Sequence, residues 1–283
     1  MSDGARETPR GSRVHIYLQS ISKRFGGVQA LADVNLSIER GTVHGLVGEN
    51  GAGKSTLGKI ISGVIQPDEG QMIVDGQVVS FASPREALTA GIAMIQQEIA
   101  LVPKLSVARN VLLGIESNRA GVLREADTRR RFDELNSRSG FALPADRPVW
   151  QLSVADQKKV EILKAIARDA RLLVMDEPTA ALADDEAEKL IEIVCNLRQS
   201  GTTIVYVSHF LKEVLSVADT VTVLRNGQLI RTAAATDETP DSLVTAMLGR
   251  EMSLTFPPKA FPAPGAPVVV AVRNLSRAGV VHD

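Results

Sequence analysis

Cysteine is almost missing: Cys195 stands alone among 283 residues, so no disulfide framework can form within the chain. It lies in an apolar helical stretch with Leu190, Ile191, Ile193 and Val194 and is expected to act as a small buried hydrophobe in a reducing, cytosolic setting. Net charge is equally scarce. Thirty-two Lys and Arg oppose 33 Asp and Glu, leaving −1, which supplies no global reason to bind nucleic acid or an anionic membrane. The one basic run, Arg129-Arg130-Arg131, sits among Glu125, Asp127, Asp133 and Glu134 and reads as a solvated helix face. Long apolar runs are also lacking: nowhere do 18 apolar residues follow one another, and the polar stretch 1–13 has no apolar segment of a secretory signal. Any membrane association is expected to come through a partner. What the chain does have is 44% hydrophobic residues, enough for one large α/β domain with an appendage but too short for two such domains.

The strongest local pattern is Gly48-Glu49-Asn50-Gly51-Ala52-Gly53-Lys54-Ser55-Thr56. It fits the phosphate-loop form G-x-x-x-x-G-K-[ST], follows a strand-like run at 41–47 and precedes a helix expected over 57–64. Glycines at 48, 51 and 53 permit positive φ and close backbone approach, so successive N–H groups can turn toward phosphate oxygens. The helix dipole then points at the same anion. Lys54 is placed to reach the β- and γ-phosphates and Ser55 to ligate Mg²⁺. A second pattern is the apolar run Leu172-Leu173-Val174-Met175 ending in Asp176-Glu177, which reads as a buried parallel strand delivering two acids to the ligand edge of a sheet. Asp176 would hold Mg²⁺ through water, and Glu177 would polarise the attacking water.

Around these patterns, 1–13 reads as a disordered leader, 14–22 and 30–38 as strands, and Asp75-Gly76 and Asn226-Gly227 as hairpin turns. Residues 171–175, 185–199, 202–207 and 210–217 alternate strand and helix, which predicts a parallel sheet with helical crossovers carrying an antiparallel β-lobe. Residues 106–149 look helical and charged with no strong strand signal, as an inserted helical subdomain would. Five prolines at 257, 258, 262, 264 and 267 mark 255–267 as a semi-rigid linker. Beyond it, Val272-Arg273-Asn274-Leu275-Ser276-Arg277 echoes Leu18-Gln19-Ser20-Ile21-Ser22-Lys23, so 268–283 reads as the start of a second copy of the domain.

The ordered set of phosphate loop, Gln97, Leu152-Ser153-Val154-Ala155-Asp156-Gln157, Asp176-Glu177 and His209 resembles the ATP-binding cassette (ABC) ATPases over nearly the whole chain. The resemblance implies a P-loop NTPase fold over 14–254, with the helical subdomain at about 100–150. It implies that Phe25 stacks on adenine, that Gln97 touches Mg²⁺ and the water, and that His209 reaches the γ-phosphate. The family's signature segment falls on Ser153, Val154, Ala155, Asp156 and Gln157, where the consensus is Leu-Ser-Gly-Gly-Gln. Val154 and Ala155 therefore stand in place of glycines, and Asp156 in place of Gln. In the family this segment serves the nucleotide of the opposite subunit in a head-to-tail dimer, so its departure would weaken the partner's site and not this one. Read without the family, Ser153 and Asp156 form an S-x-x-D capping box.

Ile95-Gln96-Gln97-Glu98 and Asp176-Glu177-Pro178-Thr179-Ala180-Ala181-Leu182 further resemble the sugar-import subfamily typified by ribose and galactose importers. This implies the N-terminal half of a tandem ATPase, docked on the cytoplasmic face of the membrane beneath permease subunits that an extracytoplasmic binding protein feeds. Two rival readings are a soluble ABC protein that remodels ribosomes or DNA, and a weakly catalytic regulatory fragment. The absence of basic arms and the short linker argue against the first of these.

Overall fold

The computed structural model describes residues 14–249 except 97, 117, 120, 121 and 181. The expected leader (1–13), Gln97, the linker (255–267) and the second-domain start (268–283) lie outside the described residues. In chain order come β1 (Val14–Phe25), β2 (Val28–Glu39), β3 (Val43–Val47), α1 (Lys54–Ile61), β4 (Glu69–Val74), β5 (Gln77–Val79), α2 (Pro84–Thr89) and β6 (Ile92–Ile95). Then follow α3 (Val107–Leu112), β7 (Asn118–Arg119), β8 (Val122–Leu123), α4 (Glu125–Ser139) and α5 (Val154–Ile166). The remainder is β9 (Leu172–Asp176), α6 (Asp184–Gln199), β10 (Thr203–Val207), α7 (Leu211–Val217), β11 (Thr220–Arg225), β12 (Gln228–Ala234) and α8 (Pro240–Leu248).

Six strands form the central sheet in the order β12-β11-β3-β10-β9-β6, parallel except for the β11–β12 hairpin. Every residue of β3, β9 and β10 is buried, because both faces of the sheet are covered. Leu172 and Val174 point to a core shared with α1 and the β-lobe, while Leu173 and Met175 point to a core shared with α5, α6 and α7. That two-residue alternation explains why 172–175 is an unbroken apolar run. The β-lobe is a separate antiparallel sheet in the order β2-β1-β4-β5. The Asn226-Gly227 turn forms the expected hairpin, which joins the central sheet. The α/β architecture therefore matches the sequence expectation, with two differences. The segment 106–149 carries a two-stranded ribbon, β7–β8, whose strands of two residues each are too short to leave a periodic signal. Cys195 is half-buried against the α6 core, not fully buried.

The basic run on α4 is a solvated face. Arg129 pairs with Asp133 and Asp146, and Arg130 with Asp127, all largely exposed except Asp127. A polar chain running from the core to the surface supports β3 instead: buried His44 brings Nε2 to 2.8 Å from the Oγ1 of buried Thr222, which in turn meets the Oγ1 of exposed Thr232 at 2.7 Å. Burial lowers the His44 pKa from 6.5 to about 4, because the charged imidazolium would lose its water. A folded-state pKa below the unfolded one means that the unfolded chain binds more protons between these values. Stability supported by neutral His44 is therefore complete above about pH 6.5 and lost as pH falls toward 4, up to about 3 kcal/mol. Urea unfolding across this window should show a falling midpoint, and His44→Gln should flatten that dependence relative to the unsubstituted protein.

Candidate functional site

β3 ends at Val47, and the chain turns at once through the phosphate loop into α1. Gly51 and Gly53 take positive φ, +82° and +102°. Gly48 does not, and of the two roles expected of these glycines it serves the second. Its role is close approach, since a Cβ there would lie 2.4 Å from the Leu224 carbonyl oxygen. α1 begins at Lys54, three residues before the expected start, because left-handed Gly53 is itself the N-cap. Loop and helix terminus are thus one element, and the first N–H groups of α1 have no partner within the helix. Glu49, Asn50 and Gly51 are exposed, Ser55 and Thr56 half-buried, and Ala52 and Lys54 buried.

The Lys54 ammonium donates to the carbonyls of Gly48 at 2.8 Å and Glu49 at 3.1 Å. Burial lowers its pKa, and the nearby charges of Glu177 and Asp176 partly restore it. Ser55 Oγ donates to Asp176 Oδ1 at 3.0 Å. The Asp176 carboxyl is raised above the usual range chiefly by burial and further by the Glu177 charge, while the Ser55 bond opposes this.

Glu177 follows the last residue of β9 and sits in the left-handed region at φ +48°, a conformation that costs a residue with a Cβ about 1–2 kcal/mol. Its N–H donates to the Val207 carbonyl at 2.9 Å, which fixes the turn against the end of β10. His209, two residues past β10, brings Nδ1 to 2.8 Å from Glu177 Oε2. That oxygen is nonetheless buried without a hydrogen bond, so the contact is electrostatic and out of line for donation. The His209 ring is half-exposed and lies 4.1 Å from the Phe210 ring. Behind Glu177, Thr179 Oγ1 donates to Glu213 Oε2 at 2.6 Å and Tyr206 Oη to the same oxygen at 3.3 Å.

Phe25 is 48% exposed at the end of β1, and the Lys23 ammonium lies over its ring, 5.6 Å from the ring centre. The segment Ser153–Gln157 lies apart: among the described residues, no hydrogen bond or ion pair joins it to the phosphate loop or to Asp176 and Glu177. Ser153 caps α5 by accepting from the Asp156 N–H at 3.1 Å. The expected capping box is only half formed, because the Asp156 carboxylate pairs with Lys159 at 2.7 Å. Gln157 Nε2 donates to the Leu152 carbonyl at 3.1 Å, Val154 is exposed and Ala155 is half-buried.

Two features escape sequence reasoning. One is the Tyr206–Thr179–Glu213 set. The other is a brace on the phosphate loop, in which the Gly227 N–H donates to the Ala52 carbonyl at 3.1 Å and the Gly227 carbonyl accepts from the Ala32 N–H at 2.8 Å. Asn226-Gly227 is legible as a hairpin turn, but nothing in its spacing says what the turn touches.

Residues 31–180 match the family described as ABC transporter. The chain belongs to the ABC transporter family. As an ABC cassette it is 46% identical over 278 residues to a ribose import ATP-binding protein, RbsA 2, of Rubrobacter xylanophilus, covering 97% of this chain and 53% of that relative. It is 44% identical over 264 residues to a putative ribose/galactose/methyl galactoside import ATP-binding protein of Agrobacterium fabrum, covering 93% of this chain and 51% of the relative. The chain thus spans about half the length of the curated relatives it matches. Among solved structures it resembles an ABC cassette in its ADP conformation, with TM-score 0.74 and 27% identity, covering 84% of this chain and 100% of that one. A nucleotide-free cassette matches with TM-score 0.70 and 28% identity, covering 78% and 91% respectively.

The cassette's loop geometry sets a stringent requirement at Gly53. A Cβ there would meet the Ala30 carbonyl oxygen at 2.6 Å and Leu31 Cδ2 at 2.7 Å, on top of an unfavourable φ. Gly53→Ala should lower unfolding free energy by about 2 kcal/mol or more, measured by urea titration, while Gly51→Ala, with open space around it, should cost less.

Proposed function

We propose that this chain is the ATP-binding and ATP-hydrolysing cassette of an importer, energising passage of a monosaccharide through membrane-spanning permease partners. The observation that carries the reading is the convergence of five side chains at one end of the parallel strands: Lys54, Ser55, Asp176, Glu177 and His209. The printed names of the similar import proteins support the sugar. Among the described residues no helix is long and apolar enough to cross a membrane, and we place the cassette on the cytoplasmic face, held there by the permeases.

The residues present fit Mg²⁺ and a triphosphate. A serine hydroxyl and a carboxylate 3.0 Å apart are hard oxygen donors, so Ser55, and Asp176 through water, would hold Mg²⁺, with Gln97 contributing as the family resemblance implies. When bound, the cation neutralises charge on the phosphates. Lys54 exchanges its two loop carbonyls for phosphate oxygens, a stronger charge-assisted partner. The free lone pairs of Glu177 Oε2 accept a hydrogen bond from the attacking water, polarise it and take up its proton. His209 stands beside that carboxylate to orient it and to contact the γ-phosphate, and Phe25 stacks on the base. A second cassette, in tandem or on a separate chain, supplies the opposing signature helix, while Ser153 to Gln157 serve that partner's nucleotide. The Ala155 methyl stands where close backbone approach is needed, so a dimer of two such signatures turns over slowly. An extracytoplasmic sugar-binding protein enters only indirectly, through the permeases, and no nucleic acid is involved.

Equilibrium binding of a fluorescent ATP analogue should weaken at least about tenfold in Lys54→Ala, and normal affinity would contradict the loop assignment. Glu177→Gln should keep nucleotide binding yet lower turnover of the full-length protein with its permeases by about 100-fold or more; undiminished phosphate release would remove Glu177 from its role. Ala155→Gly should raise steady-state turnover in that same assembly, and a rate equal to the unsubstituted protein would show that the methyl obstructs nothing.

A further inference from the structure

Glu177 holds a backbone conformation that its surroundings in the chain disfavour twice. Its φ of +48° is left-handed, which is costly for a residue with a Cβ. The next residue is Pro178, and a proline pushes the residue before it toward extended backbone at negative φ. Such a conformation persists only where the fold over-determines it. On one side the Glu177 N–H is fixed to the Val207 carbonyl at 2.9 Å. On the other the turn closes on itself, with the Ala180 N–H donating to the Glu177 carbonyl at 3.3 Å and the Leu182 N–H to the Thr179 carbonyl at 2.9 Å. The Thr179 hydroxyl then ties this turn to another element.

That element is α7, through Glu213. Glu213 Oε2 accepts from Thr179 Oγ1 at 2.6 Å and from Tyr206 Oη at 3.3 Å, the shorter bond having the length expected of a hydroxyl on a carboxylate. Thr179 is 4% exposed and Tyr206 is wholly buried, so each hydroxyl needs an acceptor within the protein. Tyr206 and Glu213 also flank His209 along the chain, one on the strand before it and the other on the helix after it. A single carboxylate oxygen thus fastens the turn that carries Glu177 to both ends of the loop that carries His209. The 2.8 Å approach of His209 Nδ1 to Glu177 Oε2 is made across that fastening.

We propose that Glu213 and Thr179 are positioning residues for ATP hydrolysis: their hydrogen bond holds the turn after Glu177 so that its unpartnered oxygen meets the attacking water with His209 beside it. The proposal rests on the ATPase reading above. Val214 and Val217 already seat α7 in the core. A carboxylate that collects two buried hydroxyls adds direction, which apolar packing does not supply.

The test uses the full-length protein with its permeases and MgATP. Thr179→Val removes the hydroxyl and nearly keeps the shape; it should lower kcat about tenfold with KM within about twofold, and Thr179→Ser should restore most of the rate. A triple variant, Thr179→Val with Tyr206→Phe and Glu213→Leu, strands no polar partner, so its thermal stability should return toward that of the unsubstituted protein while its kcat stays about tenfold low. On a Glu177→Gln background, Thr179→Val should slow single-turnover phosphate release no further, because the tie acts through Glu177. Thr179→Val at the unsubstituted kcat overturns the proposal, and so does a triple variant that recovers rate together with stability. A further tenfold loss on the Glu177→Gln background, or weaker binding of a fluorescent ATP analogue in Thr179→Val, overturns it as well, since the hydroxyl would then act elsewhere than through Glu177. An unsubstituted assembly that releases no phosphate would instead defeat the ATPase reading itself.

Discussion

The phosphate loop is held open from outside. Its own bonds are few: the Ala52 N–H reaches Glu49 and the Leu57 N–H reaches Gly53. The remaining walls are backbone from elsewhere, with Leu224 behind Gly48, Ala30 behind Gly53 and Gly227 bonded to both Ala52 and Ala32. Buried backbone groups must be paired, and here the partners come from β2 in the lobe and from the β11–β12 turn on the central sheet. The site therefore exists only once both sheets have met, which makes loop geometry a property of the whole domain and not of nine residues. It also explains why small residues are required where those backbones cross.

Electrostatics follow from that enclosure. Two ammoniums, Lys54 and Lys59, oppose two carboxylates, Asp176 and Glu177, so the local charges already balance before any nucleotide arrives. On the proposed function a triphosphate would add negative charge, which a cation beside Ser55 and Asp176 would offset. The raised Asp176 pKa expresses the same strain, since burial and the Glu177 charge both disfavour its ionised form and a divalent ion would reverse the balance. Glu177 carries a different burden: a left-handed backbone and a buried oxygen without a hydrogen bond. Such a group is poised to accept from a donor that none of the described residues provides.

Legibility in the sequence tracked contiguity. The phosphate loop, the Asp176-Glu177 strand end and the α/β alternation were readable because each lies within a few residues and obeys a period or a spacing. His209 was readable from its place after a strand. The β7–β8 ribbon was not, being two residues deep, and neither was the half-exposure of Cys195, because helix periodicity places a face but not the depth of its edge. Gly227 and Glu213 escape sequence reading for a stronger reason. Each acts through a partner distant along the chain, often a backbone atom, and no residue type or spacing advertises a contact with a carbonyl.

α5 shows how these two kinds of information divide a single helix. Its first turn, Val154 to Asp156, lies largely at the surface and bonds only to its own cap and to Lys159. Its later turns are fixed by Lys158, Val160, Glu161, Ile162 and Leu163, all buried. A substitution in the first turn changes what the domain can touch at almost no cost to the fold, whereas one in the later turns must satisfy the core together with the Gln96 carbonyl and the Ala100 N–H. The departures from the family pattern at 154–156 fall on this largely exposed turn. On the proposed function their consequences would be felt in a partner cassette's site, where stability measurements on this chain alone would not register them.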